Sequence, residues 1–261
     1  MEYSKIKALN WSSLKPMAES ALHCQWLRCH PRVDTEALRL GTVVHMAVLE
    51  PDRYETECVR RPNKWDSWRT KASKEWRQDQ IDAAMWVLTD DEADRVDRMV
   101  DAISRHSDAV RLLSNTRTEE AITWEIDGVP CKGRVDAISA DRVVDLKTCR
   151  DLGLFVRRDA ASMLYHGQLA WYLDGAIAAG ACSPDAAAYV VPVESDGPYD
   201  CAALRLSERS LDAGRRLWRR LLDEWITCRD TGLWLGRYPS EDILDMPLWA
   251  PGMYDDDEEV Y

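Results

Sequence analysis

The chain has 261 residues, 46% of them hydrophobic and 31% charged, an ordinary soluble mix that is long enough to bury a core without covalent staples. Its longest apolar stretch, Thr42 to Leu49, contains a histidine and falls far short of a bilayer span; no apolar leader core follows Met1, so a cytoplasmic protein with no membrane partner is expected. The net charge of -12 weighs against a uniformly basic surface, but Arg60 to Arg77 holds seven basic and two acidic residues, Asp79 to Asp101 eight acidic and two basic, and Asp255 to Glu259 is wholly acidic.

The first fifty residues read as two helices. Ser12 and Ser13 offer hydroxyls suited to capping the first, which is expected to run to Cys29 and close at Pro31. The second is expected over 35–49, ending before Pro51. Residues 53–61 look like a short strand, the basic segment after them has no clear periodicity, and Thr89 with Glu92 forms a capping box for a helix reaching His106. Strands are then expected over 119–126, 130–138 and 143–148, the first two joined at Asp127-Gly128. Two helices over 151–161 and 162–179, strands over 187–193 and 202–206, and a long helix from Ser207 complete the pattern. The expected organisation is one α/β domain over 1–261: a helical part (1–115), a catalytic hairpin and small mixed sheet (118–206), a C-terminal helix (207–232) and an acidic tail (254–261).

The chemistry concentrates in Gly133-Arg134-Val135-Asp136 and Val143-Val144-Asp145-Leu146-Lys147. A two-residue turn at Ala140-Asp141 places Asp136 opposite Asp145, with Cβ atoms about 4.5–5.5 Å apart. Lys147 projects from the same face as Asp145 and is expected opposite Arg134. Facing carboxylates destabilise a hairpin unless a cation lies between them. Mg²⁺ accepts one or two carboxylates together with phosphate oxygens, and a neighbouring lysine can orient or help deprotonate an attacking water. This is equipment for phosphodiester hydrolysis.

The pattern Asp136 … Asp145-Leu146-Lys147 resembles the PD-(D/E)XK nuclease core, with Asp in place of the second Glu. Gly41-Thr42-Val43-Val44-His45 resembles the early helix motif of the RecB-like branch, and Gln168-Leu169-Ala170-Trp171-Tyr172 its Q-x-x-x-Y helix. Ser12-Ser13-Leu14-Lys15, Leu49-Glu50-Pro51 and Tyr165-His166 fit the RecE-type and lambda-exonuclease-like group of that branch. The resemblance implies a restriction-endonuclease-like fold. It implies His45, Asp136, Asp145 and the Leu146 carbonyl as ligands of Mg²⁺ (Mn²⁺ substituting), with Asp136, Asp145 and Lys147 as the catalytic set. Gln168, Tyr172 and Tyr165 would position substrate or lysine, and Ser12, Ser13 and Lys15 would meet a terminal phosphate, although capping explains the serines equally well. Glu119 or Glu120 matches an acidic residue upstream of the core, the two adjacent candidates leaving the assignment open.

The resemblance further implies a Mg²⁺-dependent exonuclease that resects linear duplex DNA, 5′ to 3′, for phage-type recombination in a bacterial host cell. Double-stranded DNA with free ends, a single-strand annealing protein and a homo-oligomeric ring of this chain are the expected partners. The arginines at 157, 158, 215, 216, 219 and 220 are candidate phosphate contacts. Cys182, Cys201 and Cys228 are too scattered for the iron–sulfur cluster of related nucleases, so none is expected, and no phosphate-binding loop suggests a motor. The competing readings are an endonuclease or CRISPR-adaptation-like nuclease on the same core, a nuclease-like module that only binds, and an unrelated acidic scaffold.

Overall fold

The computed structural model describes residues 3–30, 35–247 and 250. The expected acidic tail and the expected helix stop at Pro31 lie outside the described residues. In chain order the elements are α1 (Trp11–Leu14), α2 (Ala21–Cys29), α3 (Glu36–Leu49), α4 (Pro51–Glu57), β1 (Cys58–Arg60), α5 (Lys71–Asp82), β2 (Trp86–Leu88), α6 (Asp90–Arg105) and α7 (Ser107–Leu113). After them come β3 (Arg117–Ile126), β4 (Val129–Ser139), β5 (Arg142–Cys149), α8 (Leu152–Leu154), α9 (Ala160–Ser162), α10 (Tyr165–Ala178), β6 (Ala187–Glu194), β7 (Leu204–Arg205) and α11 (Glu208–Thr231).

A five-stranded mixed sheet runs in the order β3-β4-β5-β6-β7, antiparallel except for the β5–β6 pair. One face packs on α3 and α6 around Val43, Val44, Val96, Met99, Val144 and Leu146. The other packs on α10 and α11, with Leu169 and Leu173 against Val143 and Val190. Being covered on both sides, β5 buries four consecutive residues, Val143 to Leu146. The connection from β5 to parallel β6 passes through α10, as a parallel pair requires.

Two turns fix the sheet's register. Asp127 and Gly128 both have positive φ (48° and 72°), which matches the strand twist and sets Ile126 opposite Val129. The Ala140-Asp141 turn sets Ser139 opposite Arg142 and Ala137 opposite Val144, the expected register. The ladder ends there, so Asp136 and Asp145 do not form the expected cross-strand pair. Instead β5 diverges from β4 and stays paired with β6 along its whole length. The freed edge of β4 is covered by the N-terminal segment: Leu9 forms a parallel bridge to Cys131, with backbone hydrogen bonds to Pro130 and Lys132.

Several helical expectations need correction. The helix expected from Ser12 to Cys29 is broken at Pro16, which has no N–H to give to a fourth-residue carbonyl. The chain tightens into a 3₁₀ turn over Lys15–Ala18, and Ser20 caps a new helix, α2. Asn10, not Ser12 or Ser13, caps α1 and accepts the Ser13 N–H. Pro51 at the first helical position starts α4 where a strand was expected, leaving only Cys58–Arg60 extended. The two helices expected over 151–179 are interrupted by a wide turn over Phe155–Asp159 and by Leu164 in the left-handed region (φ 57°), so α10 begins afresh at Tyr165. Thr35 caps α3, which covers the span expected for the second helix, and the Thr89–Glu92 capping box opens α6 as expected.

The layer behind the site depends on a close helix crossing. Gly214 of α11 lies against α10 so tightly that a Cβ there would sit 2.2 Å from the His166 carbonyl oxygen. Gly214→Ala is therefore expected to force the two helices apart and lower stability by about 1–3 kcal/mol, read as a lower midpoint in urea unfolding.

Candidate active site

The gap where β4 and β5 part is where side chains from both helical layers meet. Asp136 is held at this point by the Leu146 backbone N–H, which donates to Asp136 Oδ2 at 2.7 Å in place of a ladder bond. Directly opposite on β3, Glu119 has a positive φ of 50°, a strained setting for a glutamate. Val135 and Ala137 pack into different core clusters although they are two residues apart. Both strands are thus irregular at the Glu119–Asp136 step, and irregular steps of this kind re-aim side chains. Here they turn both carboxylates toward His45 of α3. His45 Nδ1 lies 3.6 Å from Asp136 Oδ2 and 3.9 Å from Glu119 Oε1, and one donor atom from each of the three residues lies within 4.8 Å of the others.

Beside this cluster sits a second group. Lys147 Nζ is ion-paired to Asp145 Oδ2 at 2.6 Å, and lies 3.4 Å from the Leu146 carbonyl oxygen and 5.2 Å from the centre of the Tyr165 ring. From α10, Gln168 Nε2 donates to Asp145 Oδ1 at 3.1 Å and lies 3.4 Å from the Tyr172 hydroxyl. The i, i+4 spacing of Gln168 and Tyr172 puts both on the helix face that meets β4 and β5. A cleft of about 490 Å³ opens over the site, with His45, Glu119, Arg134, Lys147 and Tyr165 among its lining.

Burial and crowding set the protonation states. Burial raises the Asp136 carboxyl to about 6, with the Asp145 charge adding to the effect and His45 opposing it. Burial disfavours the His45 imidazolium, but Asp136 and Glu119 outweigh it and raise its pKa. Burial also works to raise Glu119, yet His45 and the Arg134 guanidinium at 2.9 Å hold it below the usual carboxylate range. Lys147 is penalised by burial and more than compensated by Asp145 and Asp136, so its ammonium is reinforced. Burial pushes the Tyr165 and Tyr172 phenols up, keeping them neutral.

The donor set fits a hard divalent cation. Carboxylate oxygens and one imidazole converge, and Asp145 Oδ2 is buried with no hydrogen bond beyond its ion pair. Of the expected residues, the structure gathers His45, Asp136, Asp145, Leu146, Lys147, Gln168, Tyr172 and Tyr165 around the cleft. It does not bring Ser12 and Ser13 into that cluster: both are exposed on α1, and Ser13 lines a separate depression with Arg28 and Arg229. Arg134 pairs with Glu119 rather than standing opposite Lys147. Among the candidate phosphate contacts, Arg158, Arg215, Arg219 and Arg220 are engaged by acidic neighbours. Of the two adjacent glutamates, Glu119 joins the cluster while Glu120 pairs with Arg117. The Asp127-Gly128 turn carries the signal that separates them: extending its register along β3 sets residue 119, not 120, against Asp136.

A family model described as "PDDEXK-like domain of unknown function (DUF3799)" matches residues 3–241. Among solved structures, the crystal structure of a "Putative exonuclease" from Eubacterium rectale matches with a TM-score of 0.65 at 12% identity, over 92% of this chain and 90% of that one. At this identity the likeness is one of fold. No curated protein matches the sequence.

The Asp136 shift has a definite sign. A carboxyl whose pKa is raised on folding makes the native state bind protons more tightly than the unfolded chain, so stability falls as pH rises from the ordinary value of 3.8 through about 6. Asp136→Asn should therefore melt no lower than the metal-free wild type at pH 7.5, the comparison turning against the variant below about pH 4. Mn²⁺ should raise the wild-type melting temperature at pH 7.5, raise it less at pH 5, and leave the variant unchanged. Thermal melts with and without EDTA check all three.

Proposed function

The chain belongs to the PDDEXK-like domain family, and on that premise we propose that it is a divalent-metal-dependent deoxyribonuclease acting on linear duplex DNA from its ends. The observation that carries the reading is Lys147 ion-paired to Asp145 and set beside the convergent His45, Glu119 and Asp136. His45, Glu119, Asp136 and Asp145, with the Leu146 carbonyl, would hold Mg²⁺ or Mn²⁺. When bound, the cation supplies charge neutralisation at a phosphate and makes water easier to deprotonate.

The rest falls to the chain's own groups. Lys147 rests as an ammonium, which suits it to stabilising negative charge on the phosphate and orienting the attacking water rather than taking its proton. Gln168 fixes the Asp145 carboxylate that Lys147 leans on, and the neutral Tyr172 hydroxyl braces Gln168. Arg134 holds Glu119 while remaining on the rim of the cleft, where a phosphate would approach.

The finer part of the proposal is a RecE-like and lambda-exonuclease-like role: 5′ to 3′ resection that leaves a single strand for an annealing protein, performed by a homo-oligomeric ring. It is supported by the motif order from Ser12 to Tyr172, and its exonuclease part alone by the description of the Eubacterium rectale protein. An endonuclease on the same core would cut closed circles. A module that only binds would have no use for the His45, Asp136, Asp145 and Lys147 set, all of which is present.

The test is purified protein with Mg²⁺ and linear duplex labelled separately at each 5′ and 3′ end, run beside closed circular DNA. Early release of the 5′ label and intact circles are the expected result, and nicked circles would support the endonuclease instead. Asp145→Ala and Lys147→Ala should each lower the rate by at least about 10²-fold, with Lys147→Ala keeping the Mn²⁺-induced melting shift. Cleavage at the wild-type rate by either folded variant would remove the proposed site.

A further inference from the structure

The 61–85 segment plays no part in the cleft. It is the crossover between the parallel strands β1 and β2, which pair Cys58 with Trp86 through Arg60 with Leu88. Its base is anchored: Arg60 pairs with Asp94 and Asp97 of α6, Arg61 pairs with Asp90, and the Arg61 N–H donates to the Leu88 carbonyl. Two cations of the basic run are thereby consumed in holding the segment to the body. The middle of the crossover is shaped by Thr70, which caps α5 and bonds the wholly buried Ser73.

What this scaffold presents is a ladder of rings and cations. Lys64 Nζ lies 4.4 Å from the centre of the Trp65 ring, and Trp65 lies 5.7 Å from Trp76. Trp76 is parallel-stacked on Trp68 at 6.2 Å, and the Arg77 guanidinium lies 5.3 Å from Trp68. The three indoles are half-buried, while Lys64, Arg69, Lys74 and Arg77 are exposed. Among the described residues none of these four is paired with a carboxylate. Most of the described arginines elsewhere are so paired, Arg39, Arg53, Arg95, Arg142 and Arg215 among them. Unpaired cations clustered on one surface repel one another, a cost that a polyanion would relieve.

We propose that the 61–77 stripe is a binding surface for single-stranded nucleic acid, separate from the cleavage site: Lys64, Arg69, Lys74 and Arg77 take the phosphates, and the rim of the tryptophan ladder takes one or more bases. Cations alone would suit duplex and single strand alike. The contiguous indoles favour the single strand, whose unpaired bases expose the π-faces that stack on aromatic side chains. Together with the proposed function, the stripe would take hold of the strand that resection leaves behind; α4 and β1 run directly from cleft-lining Glu50 and Arg53 to its first residue.

The experiment measures binding apart from cleavage. Fluorescence anisotropy of a labelled oligothymidylate of about 20 nucleotides, and of a duplex of equal length, is recorded in EDTA at several salt concentrations from about 50 to 200 mM. Lys64→Ala/Arg69→Ala/Lys74→Ala removes three exposed cations without touching the ring contacts other than that of Lys64. It should weaken oligothymidylate binding about tenfold or more at the lowest salt and make the log–log salt slope shallower by about two, at about 0.7 for each lost phosphate contact. Trp65→Ala should weaken single-strand binding at least about fivefold, and Trp65→Tyr should restore most of it.

An unchanged affinity and slope in the triple variant would overturn the proposal. So would equal losses on duplex and single strand, or a Trp65→Tyr variant as weak as Trp65→Ala with an unchanged melting temperature. The two readings fail separately: absence of Mg²⁺-dependent cleavage by the wild type would remove the nuclease while leaving this binding result standing. Normal Lys147-dependent cleavage with no effect of the triple variant on binding would remove the stripe alone.

Discussion

The arrangement depends on one hydrogen bond, from the Leu146 amide to the Asp136 carboxylate. At that point the β4–β5 ladder has stopped, and an amide in the middle of a sheet would be left without a partner, a cost of about 1–3 kcal/mol. Asp136 satisfies it with a side chain instead of a carbonyl, so the two strands can separate while the core stays closed. Separation lets α3 from one face and α10 from the other reach the same few ångströms. His45 and Gln168 belong to different layers of the molecule and could not approach one pair of carboxylates across an unbroken sheet. The same substitution places a charge-bearing group in a buried setting, which is why Asp136 resists ionisation and why a cation among His45, Glu119 and Asp136 would relieve the crowding.

The sequence made the strand–turn–strand core legible because turn chemistry and alternation over-determine it. Asp127-Gly128 and the two-residue Ala140-Asp141 turn fix registers that carry Asp136, Asp145 and Lys147 to one place, and the nuclease-type fold expected from those residues is the fold found. Divergence of β4 from β5 was not legible. It is a tertiary outcome in which β6 holds β5 more extensively than β4 does, and no local pattern around Asp145 announces it. The helical misreadings had local causes: Pro16 and Pro51 each carry a strong positional meaning, one ending a helix and the other starting one. The interruption at Leu164 left no mark, since leucine has no preference for a left-handed backbone and tertiary packing imposed it.

Two places in the protein carry clustered charge of contrasting kind. Most surface arginines are matched by nearby carboxylates, often three or four residues along the same helix, as Arg219 is by Asp223 and Arg220 by Glu224. Inside the cleft Glu119, Asp136 and Asp145 crowd beside Arg134, His45 and Lys147, while on the crossover between β1 and β2 the exposed Lys64, Arg69, Lys74 and Arg77 have no carboxylate partner among the described residues. Screening by salt acts differently on the two, because buried charges are shielded far less than exposed ones. Ionic strength is therefore a lever that reaches the outer patch and leaves the inner cluster almost untouched.

The segment covering the free edge of β4 bears on how the molecule is assembled in time. Leu9 bridges to Cys131, and the Lys132 ammonium is gripped by the carbonyls of Tyr3 and Ile6, the latter two contacts spanning 129 and 126 positions of sequence. During synthesis, at about 5–20 residues per second, residues 3–9 leave the ribosome many seconds before the strand they dock against exists. Closing so long a loop is entropically slow, and β4 has an open edge until it happens. An uncovered strand edge of this kind is a template for wrong pairing with strands of neighbouring nascent chains. Residues 3–9 are a long-range clasp on the sheet.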